Sequence, residues 1–229
     1  MGSNARPNID MPSHHIDGDM LLAYAAGTLG QAASIVVATH LSYCPHCRCS
    51  VLAAEAVGGA FLDDIAPEPL AQGGASRVMD RLENMPAETR KSLTEDTQTI
   101  AGTVLPRPVR AWLPQDLSTL NWSWVSPGIK YTEMLKDANG ARVGLMLAQA
   151  NAAISAHGHS GEELTMVLSG GYHDGAVAFR PGDVQSVDEN THHEPKTDDD
   201  GACLSLIMIS GSINPTGLIA RIFRYFTPF

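Results

Sequence analysis

Three of the four cysteines fall within residues 44–49, and a histidine stands four positions ahead of the first, giving His40-Leu-Ser-Tyr-Cys44-Pro-His-Cys47. Cysteines packed this tightly do not make a disulfide framework. They suit a tetrahedral metal, which gathers thiolates and imidazoles, or a redox pair in a reducing compartment. Around them the sequence reads as short helices. Asp17 or Asp19 can cap a first helix carrying Met20, Leu21 and Tyr24, with Gly27 and Gly30 as stop signals. A second helix is expected over 31–42, and Pro45 suits the first position of a third running towards Phe61 and Leu62. Residues 76–84 make a shorter amphipathic candidate. Four such helices bury little surface by themselves, so a metal staple is physically useful.

His40 would leave one helix end, while Cys44 and Cys47 sit at the cap and first turn of the next, where backbone amides favour thiolate. A fourth ligand closes a structural zinc site, and His15, just ahead of the first helix, supplies it; His14 ranks second. Cys44-Pro-His-Cys47 also has the form of a thiol–disulfide oxidoreductase site, a chemistry that normally follows a strand. His46 and Cys49 read as non-ligands.

After Met85 the pattern changes. Residues 86–108 are polar and proline-bearing and read as a linker, and from Trp112 onward strands are expected, at 130–136, 142–149, 163–168, 176–179 and 202–209. Asn139-Gly140 is a two-residue hairpin signal. Many short strands with glycine turns suggest a sandwich or small barrel. Within it, His157-Gly-His159-Ser-Gly-Glu-Glu163 places three metal-binding side chains at one parity, so that on a regular strand path they face one way. A fourth donor is expected from the His192-His193 pair, beyond the Pro181-Gly182-Asp183 turn. Glu162 has the other parity; His173, His192 and the run Asp198-Asp199-Asp200 read as solvated surface.

Twenty-five acidic against fifteen basic residues give a net charge of -10, which argues against direct nucleic-acid binding and permits a basic protein partner. The first residues lack an apolar run, and the most apolar stretch, 202–210, is far short of the roughly 20 residues of a membrane span. The expectation is a cytoplasmic protein with no membrane contact.

The His14-His15 entry, the Leu22-Ala-Tyr-Ala-Ala-Gly-Thr-Leu29 segment, His40-xxx-Cys44-Pro-x-Cys47-Arg, His157-x-His159-xxx-Glu163-xxxxxx-Gly170 and His193-x-Pro195 together resemble the ChrR-type zinc-binding anti-sigma factors. That resemblance implies an α+β chain. A small zinc-stapled helical anti-sigma domain over 13–90 and a linker over 91–107 would precede a cupin-like metal-binding barrel (double-stranded β-helix, or jelly-roll) over 108–229. It implies Zn2+ on His15, His40, Cys44 and Cys47, and Zn2+ or another divalent transition metal on His157, His159, Glu163 and His193. It further implies that the helical domain sequesters an extracytoplasmic-function sigma factor, with release on oxidative stress (singlet oxygen or organic peroxide) sensed through the cupin domain. On this reading the chain is no enzyme. Candidate contact surfaces are the Leu21/Leu22/Tyr24 face, the Val36/Val37 face and the helix from Val51 to Phe61. Two departures matter: Pro-x-Gly-xx-His-xxx-Asn is absent after Pro181, and Cys203 is followed by Ser205 where relatives can carry a second cysteine. The alternative is a metal-dependent cupin enzyme, a dioxygenase or isomerase, with an accessory zinc module, because three His and one Glu leave open positions on a metal.

Overall fold

A computed structural model describes residues 11–85 and 98–211, together with the backbone of 213–215. Four helices come first: α1 Gly18–Ala25, α2 Gln31–Tyr43, α3 Pro45–Asp63 and α4 Gly74–Asn84. Their limits follow local chemistry. Gly27, at φ +68°, turns the chain out of α1, and Pro45 opens α3 directly behind its cap, Cys44.

The strands are β1 Thr99–Ile100, β2 Thr103–Val104, β3 Ser123–Ser126, β4 Ile129–Lys136, β5 Arg142–Ala148, β6 His157–His159 and β7 Glu163–Ser169. They continue with β8 Tyr172–Asp174, β9 Val177–Phe179, β10 Val184–Val187, β11 Lys196–Thr197, β12 Cys203–Ile209 and β13 Ile213–Pro215; a short helix, α5 Arg107–Arg110, lies between β2 and β3. All pairings are antiparallel. A six-stranded sheet runs β10-β7-β12-β5-β4-β3, a second sheet runs β11-β8-β9, and β6 pairs with β13.

At the centre of the large sheet β12 is buried along its whole length, which is why it reads as a nearly continuous apolar run, broken only by Ser205, instead of alternating. Leu204, Leu206 and Met208 share one core with Leu164, Met166, Val143 and Leu145 and with Ala32, Ile35, Val36 and Val37 of α2. From the other face, Ile207 and Ile209 pack with Ile129, Tyr131 and Met146, and Cys203 packs with Val167, Tyr172 and Phe179 of the second sheet. The second helix is thus laid against the outside of the barrel. Its apolar residues spread over most of its circumference, and it is buried over most of it, with Gln31 and Ser42 exposed.

Three expectations need correction. The Asn139-Gly140 signal does not make a two-residue turn. The loop spans 137–141, because the Asp137 carboxylate accepts from the backbone N–H of Asn139 and Ala141 (2.9 and 3.0 Å) and closes a wider turn. Within the stretch read as a linker, 86–97 lies outside the described residues, but 98–107 holds a small hairpin, β1–β2, and Leu105 is buried in the shared core, as is Val109 just beyond. These isolated apolar anchors among prolines have no periodicity to reveal them. Finally, Val36 and Val37 are fully buried and Leu21 nearly so, so neither the Val36/Val37 face nor Leu21 presents a contact surface; Leu22 remains exposed.

Candidate metal centres

The front cluster forms where three segments meet: the irregular entry before α1, the end of α2 and the start of α3. His15, His40, Cys44 and Cys47 bring their ligand atoms within 4.8 Å of one another. The His15 Nδ1 lies 3.3 Å from Cys44 Sγ and 3.6 Å from Cys47 Sγ. A tetrahedral zinc with bonds of about 2.3 Å to sulfur and about 2.0 Å to nitrogen needs an N–S edge of about 3.5 Å, so the donors are already spaced for it. His40 supplies the sharper test. Its Nδ1 meets the Gly182 carbonyl at 2.8 Å, while its buried Nε2 has no hydrogen-bond partner. An orphaned buried nitrogen is costly unless something binds it. Burial holds the His40 imidazole below its usual pKa and hence neutral, as a ligand must be.

The thiols differ from the expectation. The Cys47 N–H does donate to Cys44 Sγ at 3.4 Å, as a helix cap should. Burial nevertheless pushes the Cys47 thiol up to about 11, with the hydrogen bond and charge of Cys44 adding to it. Without a cation Cys47 keeps its proton; the metal, not the helix end, is what makes the thiolate. His14 is drawn away to Asp183, at 3.5 Å, and to the Phe179 ring. His46 and Cys49 are exposed and outside the cluster. Cys44-Pro-His-Cys47 follows a helix, not the strand a disulfide oxidoreductase uses.

The second cluster is inside the barrel. β6 carries His157 and His159, and residue 193 forms a reciprocal backbone pair with 157, both N–H···O distances being 3.1 Å. The Nε2 atoms of His157 and His159 lie 2.9 and 3.0 Å from the Nε2 of His193. Their outer nitrogens face acceptors. His157 Nδ1 donates to the Ser155 carbonyl at 3.0 Å, His193 Nδ1 lies 3.3 Å from the Asp174 carboxylate, and His159 Nδ1 lies 3.6 Å from that of Glu163. With protons on the outer nitrogens, three lone pairs converge inward, an arrangement that repels itself unless a cation sits between them. Burial, followed by the charge of His193, lowers His157 and His159 to about 4, so both rings are neutral near pH 7. The donor set fits a divalent transition metal with positions left open.

Glu163 stands apart from the other three. It is buried and accepts from Thr165 Oγ1 at 2.9 Å, and burial raises its pKa to about 7. Its carboxylate meets the outer nitrogen of His159, so the structure groups three of the four expected donors and sets the fourth behind one of them. Gly170, at φ +70°, makes the expected turn after β7; a side chain there would strike the backbone of Ala202. His173 pairs with Asp198 at 2.8 Å. Sequence reasoning missed Asp174, Gly182 and Asp183: a lone carboxylate or a turn glycine carries no spacing signal.

A family model for the ChrR cupin-like domain matches residues 113–210. The anti-sigma-E factor ChrR of Cereibacter sphaeroides is 31% identical over 216 residues, covering 93% of this chain and 97% of that protein. Among solved structures, the chain is similar to Rhodobacter sphaeroides SigE in complex with the anti-sigma ChrR, with a TM-score of 0.70 at 31% identity over 86% of this chain and 98% of that one.

Proposed function

Since the chain belongs to the ChrR family of anti-sigma factors, we propose that it holds an extracytoplasmic-function sigma factor inactive in the cytoplasm. One observation carries this reading: α3 beyond Val51, the chain after it and the amphipathic α4 expose large apolar side chains that nothing among the described residues covers. In α3 and the chain after it, Leu52, Val57, Phe61, Leu62, Ile65 and Leu70 are exposed; in α4 no residue is buried, and Val78, Met79, Leu82 and Met85 lie open. Apolar helices of this kind bind by laying their anchors into a partner's groove. A partner whose DNA-contacting surface is basic suits a net charge of -10, and covering that surface blocks promoter binding.

On this reading zinc, when bound at the front centre, joins the entry segment, α2 and α3 into one frame. The chain's own part is to present neutral His40 and closely set thiols there, and to keep α3 projecting from the barrel. The barrel is the module that perceives an oxidative signal, singlet oxygen or an organic peroxide, through its histidine cluster, and the chain acts without catalysing a reaction. His157 is the better candidate for the responding group. Cys203 is buried, its Sγ sits 3.4 Å from Ser205 Oγ, and burial raises its thiol to about 11, which makes it a poor nucleophile.

The test is co-purification with the cognate extracytoplasmic-function sigma factor, with in vitro transcription as readout. Stoichiometric capture and repression by wild type, both lost in a Cys44→Ser/Cys47→Ser variant, are expected. Equal binding by the two proteins refutes metal-organised sequestration. Substrate turnover by the metal-loaded barrel would favour the enzyme reading instead.

A further inference from the structure

Two of the four front donors are held in place by the barrel, through one turn. Between β9 and β10 the chain passes through Pro181, Gly182 and Asp183. The Gly182 carbonyl accepts from His40 Nδ1 at 2.8 Å, which fixes the tautomer and leaves Nε2 towards the thiols. Asp183 is 1% exposed. Its Oδ1 accepts from the backbone N–H of Ser13 (2.7 Å) and His14 (2.9 Å), its Oδ2 from that of Arg180 (2.8 Å). The next residue, Val184, donates its N–H to the His14 carbonyl at 3.1 Å. The entry segment that delivers His15 is therefore pinned on both sides. Burial opposes the charge on Asp183, yet these backbone donors and the His14 ring hold its carboxyl below the usual range, so the carboxylate stays ionised. Gly182 sits at φ +97°, with Pro12 and Tyr43 pressed where a side chain would be: the turn has to approach this closely.

We propose that the barrel turn Pro181-Gly182-Asp183 is a positioning element of the front metal centre, Gly182 orienting His40 and Asp183 the backbone that carries His15. The proposal rests on the reading of His15, His40, Cys44 and Cys47 as that centre. Partners that orient ligands in this way are commonly worth 10–100-fold in metal affinity. The helical module's hold on its metal is then strengthened by the barrel docked against it.

The experiment uses the full chain loaded with cobalt(II), whose thiolate charge-transfer band reports the front centre alone because the barrel cluster holds no sulfur donor. Transfer of cobalt to a chelator is followed by loss of that band. Asp183→Ala is expected to release cobalt at least about tenfold faster than wild type. Asp183→Asn, which keeps the shape and an acceptor oxygen, is expected to fall between them, and it carries the comparison if the alanine variant does not fold. Asp137→Ala is the control. Asp137 Oδ2 accepts from the Ala32 N–H at 3.3 Å, at the far end of α2, so it helps dock the helix without touching the donors. Release from the Asp183 variants at the wild-type rate, or equal acceleration by Asp137→Ala, overturns the proposal. Absence of the band from wild type would overturn the metal-site reading itself, and the proposal with it.

Discussion

Replacing Phe61 and Leu82 together with alanine separates partner binding from folding. Phe61 is 69% exposed and Leu82 57% exposed, and neither belongs to a buried cluster. Surface truncations of this kind change stability by about 0.5 kcal/mol or less. Fully burying such a side chain is worth about 1.5–3 kcal/mol, so covering the open part of each against a partner contributes about 1–2 kcal/mol. The two lie on different helices, and their effects should add to about 3 kcal/mol. At about 1.4 kcal/mol per tenfold, that is roughly a 100-fold rise in Kd for the sigma factor. Titration calorimetry measures the Kd, and thermal unfolding of the free, metal-loaded protein checks the fold. Val36→Ala is the reverse case: its side chain is fully buried, so it should cost stability, about 2 kcal/mol, and leave the affinity of folded protein unchanged. The reasoning fails if the double variant binds within about threefold of wild type, or if Val36→Ala weakens binding as much.

Thiol titration of zinc-loaded protein should proceed in three steps. Exposed Cys49 reacts at once, Cys44 and Cys47 only after a chelator is added, and buried Cys203 only on unfolding; immediate reaction of Cys44 and Cys47 would refute their role as ligands. The two centres should also differ in their pH dependence, measured by competition with a chelator on Cys44→Ser/Cys47→Ser and His157→Ala/His159→Ala variants. Cys47, raised to about 11, must give up a proton to bind, so front-centre affinity should climb at least about tenfold per pH unit between about pH 6 and pH 9. His157 and His159, lowered to about 4, are already neutral there. Barrel affinity should therefore be flat above about pH 5 if Glu163 stays behind His159, and should still rise up to about pH 7 if Glu163 enters the donor set.

Much of this was legible in the sequence because local chemistry wrote it. Pro45 behind Cys44 fixed a helix start, and His-x-His with a downstream histidine fixed the barrel cluster. What failed to show depends on the partner of a face. The apolar surface of α2 suits a sigma factor and a β-sheet equally well, and only the fold assigns Val36 and Val37 to the sheet. Parity put Glu163 on the correct side of β7, yet parity cannot choose between the two nitrogens of His159. Asp183 and Gly182 looked like any turn, because their meaning lies in segments 170 and 142 residues earlier, at Ser13 and His40.

On the proposed function, the position of the front centre makes it, and not the barrel interior, the site coupled to the exposed apolar residues of α3. β10 starts at the turn that holds His14 and His40, pairs at Val187 with Glu163, and leads on to His193, so the two clusters lie at the ends of one continuous stretch of chain. None of this touches the open residues of α3 or α4. In α3 only Cys47 and Val51 are buried, both in its first two turns, and the rest projects with α1 beside it. At 1.5 Å per residue, Phe61 lies about 25 Å from Cys44 along the axis. A tilt of about 10° at the thiols therefore carries Phe61 about 4 Å, more than a packed side chain tolerates at an interface. Small losses of order around Cys44 and Cys47 are thus magnified at the helix end that holds the partner, whereas a disturbance confined to the barrel must first reach His15 or His40 to be felt there.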